Sequence, residues 1–294
     1  MPFPMPLVES RPLGRLRLHA IQAGGQRLDG GAMFGVVPKV LWSRRIAADD
    51  RNRIQMGMRC LLVEHPDGLV LIDTGAGDKE DAKFYDIYGI ETDAQGAGPG
   101  ELPLLAGLRA LGHAPEDVRL VISTHLHFDH AGGNTRRTPD GGATATFPNA
   151  TYVVQRGEYE YATRTNERTA ASYLRHNFEP IHVAGRWRFV EGACEIVPGI
   201  TVRPTPGHTP WHQSVLVTDG GETCCFLGDV VPTAHHLPLP WIMGYDVEPL
   251  VTLESKRALL TDAEAGEWLL CFEHDAHTGF GRVRHDGKAY GLAP

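Results

Sequence analysis

Four side chains that commonly bind metal ions lie within six residues. The run is His125-Leu126-His127-Phe128-Asp129-His130. Zinc binds imidazole nitrogen at about 2.0–2.1 Å and carboxylate oxygen at about 2.0–2.2 Å, so several ligands from one short segment need a chain that turns quickly. The two alternate histidines can face one ion while the carboxylate and the last histidine turn toward a neighbour. Gly132 and Gly133 follow and allow a tight bend, so the run predicts a site for two metal ions.

Two ions need more ligands than this run provides, and three later residues are candidates. His208 lies in the turn-rich segment Thr-Pro-Gly-His-Thr-Pro, between predicted strands near residues 200–203 and 214–218. Asp229 follows Gly228 directly after an apolar run, and its two carboxylate oxygens could bridge two ions. His274 follows the apolar run 268–272 and would complete the set.

The elements that must position these residues alternate along the chain. Apolar, β-rich runs predict strands at residues 16–22, 60–64, 69–73, 118–123, 151–155, 214–218, 224–227 and 268–272. Helical patterns occupy residues 102–111, 156–163, 170–178 and 251–262, and glycine-rich loops are expected at 24–35 and 94–100. A polar residue comes at the end of each of four apolar runs, or directly after it. These residues are Asp73, His125, Asp229 and His274. Ligand sites collect at strand ends in layered α/β folds, so these residues are expected to converge.

Five motifs in this order resemble the metallo-β-lactamase superfamily. They are Leu-Ile-Asp-Thr-Gly at 71–75, the His-x-His-x-Asp-His run, Gly-His-Thr-Pro at 207–210, Gly-Asp at 228–229, and His274. The resemblance implies an α/β fold, a four-layer αββα sandwich formed as a single domain by residues 1–294. It implies that His125, His127 and His208 bind one metal ion and Asp129, His130 and His274 a second. Asp229 would bridge the ions, and Asp73 would support the site by hydrogen bonds.

Within this superfamily the chain is similar to the branch of N-acyl-homoserine lactonases and methyl-parathion-hydrolase-like enzymes. The likeness lies in residues 28–39 and 228–237. It implies a dinuclear hydrolase in which two divalent metal ions activate a water molecule that opens a lactone ring. Zinc is the expected metal, and iron, manganese and cobalt are alternatives. Asp129 and Asp229 would take part in catalysis. Small lactonases of this branch have a tyrosine where this chain has Pro232, and Tyr245 or His235 could replace it.

Substrate selectivity is expected from apolar and aromatic residues outside the ligand set, because ligand pockets are mostly apolar with a few orienting polar groups. The candidates are Phe34, Phe84, Tyr85, His235, His236, Trp241, Met243 and Tyr245.

Other activities of the same superfamily compete with the lactonase hypothesis. An iron-dependent oxidoreductase would use the same ligand types, but the chain has no appended flavin domain. Hydrolysis of thioesters, phosphotriesters or other esters also fits the ligands. An antibiotic-hydrolysing enzyme is disfavoured by the pairing of Asp129 with His130.

The composition of the chain indicates which classes of molecule it binds. The net charge of -8 argues against nucleic acid, which is bound through clustered Lys and Arg, and favours a small-molecule substrate. Five cysteines at irregular spacing, the lack of a signal-peptide pattern in residues 1–11 and the lack of a long apolar run predict a cytoplasmic protein without membrane contact. The segment 24–54, rich in apolar and basic residues, could cover a neighbour's active site in a homodimer.

Overall fold

The computed structural model describes residues 6–91, 98 and 101–294. In chain order its strands are β1 (Val8–Leu13), β2 (Leu16–Asp29), β3 (Arg53–His65), β4 (Gly68–Ile72), β5 (Val118–Ile122), β6 (Thr135–Arg137), β7 (Ala143–Ala145), β8 (Thr151–Gln155), β9 (Trp187–Val190), β10 (Cys194–Val197), β11 (Ile200–Pro204), β12 (Gln213–Asp219), β13 (Glu222–Phe226), β14 (Leu269–Cys271), β15 (Phe280–Gly281), β16 (Val283–His285) and β17 (Tyr290–Leu292). Its helices are α1 (Gly30–Phe34), α2 (Lys39–Trp42), α3 (Ala82–Tyr88), α4 (Pro103–Ala110), α5 (Phe128–Ala131), α6 (Arg156–Ala162), α7 (Glu179–Val183) and α8 (Pro249–Ala265).

Two large sheets form the centre of the fold. The first has the strand order β1-β2-β3-β4-β5-β8-β9, and the second has the order β10-β11-β12-β13-β14-β15. The first sheet is antiparallel from β1 to β4 and parallel from β4 to β9. In the second sheet only the pair β13 and β14 is parallel. Each sheet therefore contains a parallel pair, β4 with β5 and β13 with β14, whose carboxyl ends can carry neighbouring loops.

Alternating side chains explain the layers. On β3, Leu61 and Val63 pack between the sheets against residues of the second sheet such as Val215 and Phe226. The intervening Cys60 and Leu62 point to the opposite face and pack with Leu104 and Leu108 of α4, as expected for side chains that alternate along a strand.

Helices cover the outer face of each sheet. Gly107 lets α4 approach β2 closely, since a Cβ there would lie 2.2 Å from Ile21 Cγ2. On the second sheet, Leu259, Leu260 and Ala263 of α8 pack against the outward side chains of β13 and β14. The layers are therefore helix, sheet, sheet and helix, and the predicted αββα sandwich is confirmed.

Two predicted elements differ from the structure. Residues 24–35 are not a loop: β2 continues to Asp29, and the Asp29 carboxylate then caps α1 by accepting from Ala32 N at 2.9 Å. Residues 170–178 do not form a helix and contain only a short 3-10 turn at Arg175–Asn177. Tertiary contact overrides propensity there, because Ser172 O accepts from Phe128 N at 2.9 Å. The other predicted strands and helices are present with ends shifted by up to seven residues, and most of the predicted loop 94–100 lies outside the described residues.

In the part of the chain that the structure describes, no helix has the length and apolar character needed to cross a membrane.

Candidate metal centre

The His-x-His-x-Asp-His run leaves the end of β5 and turns at once into α5. His125 and His127 lie on the connecting loop, while Asp129 and His130 lie on the helix. The glycines that follow are needed for close approach: a Cβ at Gly132 would lie 2.1 Å from Ala76 O. Glycine at position 132 therefore allows the segment after β4 to pack directly against the ligand run.

The remaining predicted ligands reach the same place from the second sheet. His208 lies on the loop between β11 and β12, Asp229 in a 3-10 turn just after β13, and His274 just after β14. Gly228 is required before Asp229, because its φ is +57° and a Cβ would lie 2.6 Å from His212 Nε2. All seven residues are buried, with exposures between 0% and 9%, and the predicted convergence is confirmed.

Asp229 lies between two groups of ligand atoms. Its Oδ2 is 3.1 Å from His208 Nε2, and its Oδ1 is 3.1 Å from His274 Nε2. The ligand atoms of His125, His127 and His208 lie within 4.8 Å of one another, as do those of Asp129, His130 and His274. One carboxylate thus faces two sets of three potential ligands, the geometry needed for a bridge between two ions.

The orientation of the imidazole rings fits cations. His208 Nε2 lies 3.1 Å from His127 Nδ1, and His274 Nε2 lies 3.1 Å from His130 Nε2. The opposite nitrogen of His208 bonds Asp246 at 2.9 Å, and that of His274 bonds the carbonyl of Gly57 at 2.8 Å. Those acceptors take the Nδ1 proton of each ring, so each Nε2 points into the cluster, where it can bind a cation once it is deprotonated.

A buried nitrogen without a partner supports the same conclusion. His125 Nε2 has no hydrogen bond, although it is fully buried. Leaving such an atom unsatisfied costs about 1–3 kcal/mol, and a metal ion would satisfy it. The residues present therefore fit two divalent cations.

Electrostatics also favour positive charge at this point. Burial opposes ionisation of Asp229, but His208, His274 and His130 outweigh burial and hold its pKa well below the usual range. Burial lowers the pKa of His274, yet Asp229 together with Glu273 outweighs burial and raises that pKa to about 9, so a cation that binds this ring would displace a proton. For His125, burial lowers the pKa well below its usual value and keeps the ring neutral, as a ligand must be.

Residues outside the ligand set fix the ligand side chains. Asp73, predicted for this role, lies 3.1 Å from His130 Nδ1 through Oδ2 and accepts hydrogen bonds from Thr124 N and Oγ1 at 2.7 and 2.6 Å. Two others that the sequence does not reveal also contact ligand side chains directly. Asp246 holds His208, and Gln26 Nε2 donates to Asp129 Oδ2 at 2.7 Å. Neither belongs to a motif, so no local signal marked them.

A cavity of about 370 Å³ opens onto the cluster. Ligand residues His127, Asp129, His208, Asp229 and His274 form part of its wall. Most of the other lining residues are apolar or aromatic: Leu28, Ala32, Met33, Met56, Tyr88, Phe128, Ala171, Met243, Tyr245 and Val247. Arg168, Thr169, Ser172 and Gly244 complete the lining.

Of the predicted pocket residues, Met243 and Tyr245 line this cavity and the other six do not. Phe34 and His236 are buried and stack on each other with ring centroids 4.6 Å apart. Trp241 packs edge-on against Phe34, and Phe84 packs behind Phe128. These aromatics support the wall rather than face the ligand space, a distinction that residue type alone does not reveal.

Tyr245 and His235 occupy different surroundings. Tyr245 follows Gly244, whose backbone is fixed by hydrogen bonds to Ala32 O and from Arg168 Nη2, each 2.8 Å long. Partial burial raises the pKa of Tyr245, which is 39% exposed, to about 12, so the phenol keeps its proton at neutral pH. His235 is not among the cavity residues. The Pro232 carbonyl accepts a hydrogen bond from His274 N at 3.0 Å, which joins this position to a candidate ligand through the backbone.

The chain is similar to several known proteins. An N-acyl homoserine lactonase from Bacillus sp is 35% identical over 161 residues, which are 54% of this chain and 57% of the relative, so less than two thirds of that relative is matched. The structure of a probable metal-dependent hydrolase from Staphylococcus aureus has a TM-score of 0.86 and 28% identity, covering 96% of this chain and 99% of the other. An AiiA variant from B. thuringiensis, with N-decanoyl-L-homoserine bound at the active site, has a TM-score of 0.66 and 25% identity over 90% and 94% of the two chains.

The family comparison covers most of the chain and includes both ends of the ligand set. Residues 59–274 match the model of the metallo-beta-lactamase superfamily. This range contains Asp73 and all seven predicted ligands. Together with the αββα layers and the convergence of those ligands, the match shows that the chain belongs to the metallo-beta-lactamase superfamily.

Proposed function

We propose that this chain is a dinuclear metal-dependent hydrolase that opens the ring of N-acyl-homoserine lactones. The observation that carries the proposal is the bridging geometry of Asp229, whose two oxygens face His208 and His274 at the floor of a largely apolar cavity. The lactone is proposed as the substrate because the Bacillus relatives are N-acyl homoserine lactonases. The cavity is large and apolar enough to hold an acyl chain. Because loops from both sheets build this one centre, we infer that residues 1–294 act as a single domain.

His125, His127 and His208 would hold one ion and Asp129, His130 and His274 the other, with Asp229 between them. Nitrogen and carboxylate ligands of this kind favour zinc, and iron, manganese and cobalt also suit them. Metal ions bound there supply a water acidified toward neutral pH and polarise the substrate carbonyl.

The side chains of the cavity handle the protons. Ring opening forms a bond from the water oxygen to the carbonyl carbon and breaks the bond from that carbon to the ring oxygen. Asp129, oriented by Gln26, can accept a proton from the water. Tyr245 can donate its proton to the departing alkoxide, which becomes a hydroxyl group. The proton held by Asp129 then returns to the Tyr245 phenolate through solvent, and the carboxylic acid of the product releases one proton to solution as it becomes a carboxylate.

The direct test is proton release from a series of N-acyl-homoserine lactones by the zinc-loaded enzyme. Burying each methylene group contributes about 0.8 kcal/mol, so kcat/KM should rise roughly fourfold per added methylene until the cavity is full. No release above background, with two ions bound per chain, would exclude the lactone and leave thioesters, phosphotriesters and aryl esters to be assayed. Oxygen uptake by iron-loaded protein would favour the oxidoreductase alternative.

Replacing Tyr245 with phenylalanine should lower kcat by roughly 100-fold or more with little change in KM, because general acid catalysis contributes about 10²–10⁴-fold. His235→Ala is the matched comparison and should change kcat less than threefold, since His235 does not line the cavity. Steady-state kinetics with one lactone measure both. The reverse order of effects would assign the proton donor to His235.

Two further proposals concern the location and the assembly of the chain. The five cysteines are free, which supports a reducing compartment such as the cytoplasm. The exposed apolar residues Val36, Val40 and Leu41, at 90%, 61% and 46%, support contact of segment 24–54 with a second copy of the chain. Sedimentation of the protein as a monomer at micromolar concentration would exclude the homodimer hypothesis.

A further inference from the structure

A buried carboxylate outside the ligand set lies beneath the three-histidine half of the centre. Glu158 belongs to α6 and has 0% exposure, whereas Glu160 on the same helix faces solvent. A buried carboxylate is costly unless hydrogen bonds replace the water it loses. The partners of Glu158 therefore show what its burial achieves.

Both oxygens of Glu158 bind the loops that carry ligands. Oε1 accepts from Leu126 N at 3.0 Å, and Leu126 lies between His125 and His127. Oε2 accepts from Thr209 Oγ1 at 2.7 Å, and Thr209 follows His208. One side chain thus connects a loop of the first sheet with a loop of the second.

A third contact bears on a ligand ring. Tyr173 donates its hydroxyl proton to Glu158 Oε1 at 2.9 Å. The Tyr173 ring packs edge-on against the ring of His127, with centroids 4.6 Å apart and planes at 68°. Tyr173 is 5% exposed, so this packing is enclosed.

We infer that Glu158 is a positioning residue that fixes His125, His127 and His208 relative to one another. The inference rests on the proposed dinuclear centre. The other half of the centre is held by different groups, namely Asp73 against His130, Gln26 against Asp129 and the Gly57 carbonyl against His274. Loss of Glu158 should therefore weaken one metal site and spare the other.

The test is Glu158→Gln, which keeps the volume but places an amide against donors that need acceptors. Glu160→Gln on the solvent face of α6 is the matched control. Protein loaded with cadmium-113 gives one NMR resonance per site, and the resonance lost in His208→Ala identifies the three-histidine site. Competition with a chelator then gives the zinc affinity of each site.

In Glu158→Gln we expect zinc to bind the three-histidine site roughly 10- to 100-fold more weakly, as is usual when an outer partner of a ligand is lost. The second site and the control should match the unchanged protein. Tyr173→Phe removes one donor and should weaken the same site by several-fold. If Glu158→Gln does not fold, the zinc affinities of the two sites are compared in Tyr173→Phe instead, and the same selective loss is expected.

The outcomes separate the two proposals. Fewer than two bound ions in the unchanged protein would reject the dinuclear centre itself. Two ions there, with equal affinities in Glu158→Gln and Glu160→Gln, would overturn the role of Glu158 and leave the centre standing. Equal weakening of both sites would also overturn it, because a selective effect is the content of the inference.

Discussion

Replacing Asp229 with asparagine is expected to lower kcat/KM for lactone hydrolysis at least about 10³-fold, which corresponds to about 4 kcal/mol of transition-state stabilisation. The amide keeps the size of the side chain but replaces one of two anionic oxygens with a donor. Asp229 faces His208 with one oxygen and His274 with the other, so no orientation of the amide can serve both sides. Both halves of the centre should be affected.

The measurement combines steady-state kinetics with metal analysis of the purified variant. We expect fewer than two zinc ions per chain, in contrast to the two expected for the unchanged enzyme. Asp262→Asn is the matched control, because Asp262 lies on α8 and pairs with Arg203 at the surface. Retention of both ions and of kcat/KM in Asp229→Asn would rule out a bridging role.

The ligand run could be predicted because its information is local. Residues 125–130 follow a strand, turn once and are followed by two glycines, so a few residues suffice to indicate the site. The distant candidate ligands His208, Asp229 and His274 could also be predicted, because each follows or adjoins a recognisable strand. The layers followed from alternating strands and helices together with the superfamily motifs.

The residues that support the ligands could not be predicted, because long-range contacts define them. Gln26 lies in a glycine-rich stretch predicted as a loop, yet β2 continues through it and brings its amide to Asp129. Asp246 follows a candidate pocket residue, but its hydrogen bond to His208 joins positions 38 residues apart. Glu158 is one of two glutamates on a short helix, and its sequence neighbours give no sign that it is buried.

Segment 170–178 shows the same limit for secondary structure. Its composition favours a helix, but Ser172 O accepts from Phe128 N, and Tyr173 packs against His127. The segment is folded around the ligand run and lines the cavity with Ala171 and Ser172. Contacts with the candidate ligand run, rather than intrinsic propensity, therefore determine its conformation.

Removing the metal ions should both abolish hydrolysis and lower the stability of the fold. With the ions absent, ring nitrogens of neighbouring histidines face one another at 3.1 Å, and the buried His125 Nε2 has no partner. An ion present at a thousand times its dissociation constant stabilises the folded chain by about 4 kcal/mol. At about 2 °C per kcal/mol for a large domain, removal of two ions should lower Tm by roughly 15 °C.

The experiment is dialysis against a chelator, removal of the chelator, and measurement of Tm and proton release before and after adding zinc. Zinc should restore both quantities, with a break at two equivalents per chain, whereas magnesium should restore neither because it prefers oxygen ligands. Asp229→Asn should respond to zinc with a smaller rise in Tm, since its bridge is lost. Full activity in protein with less than about one tenth of an ion per chain would reject metal-dependent hydrolysis, because two ions are the source of the acidified water in this mechanism.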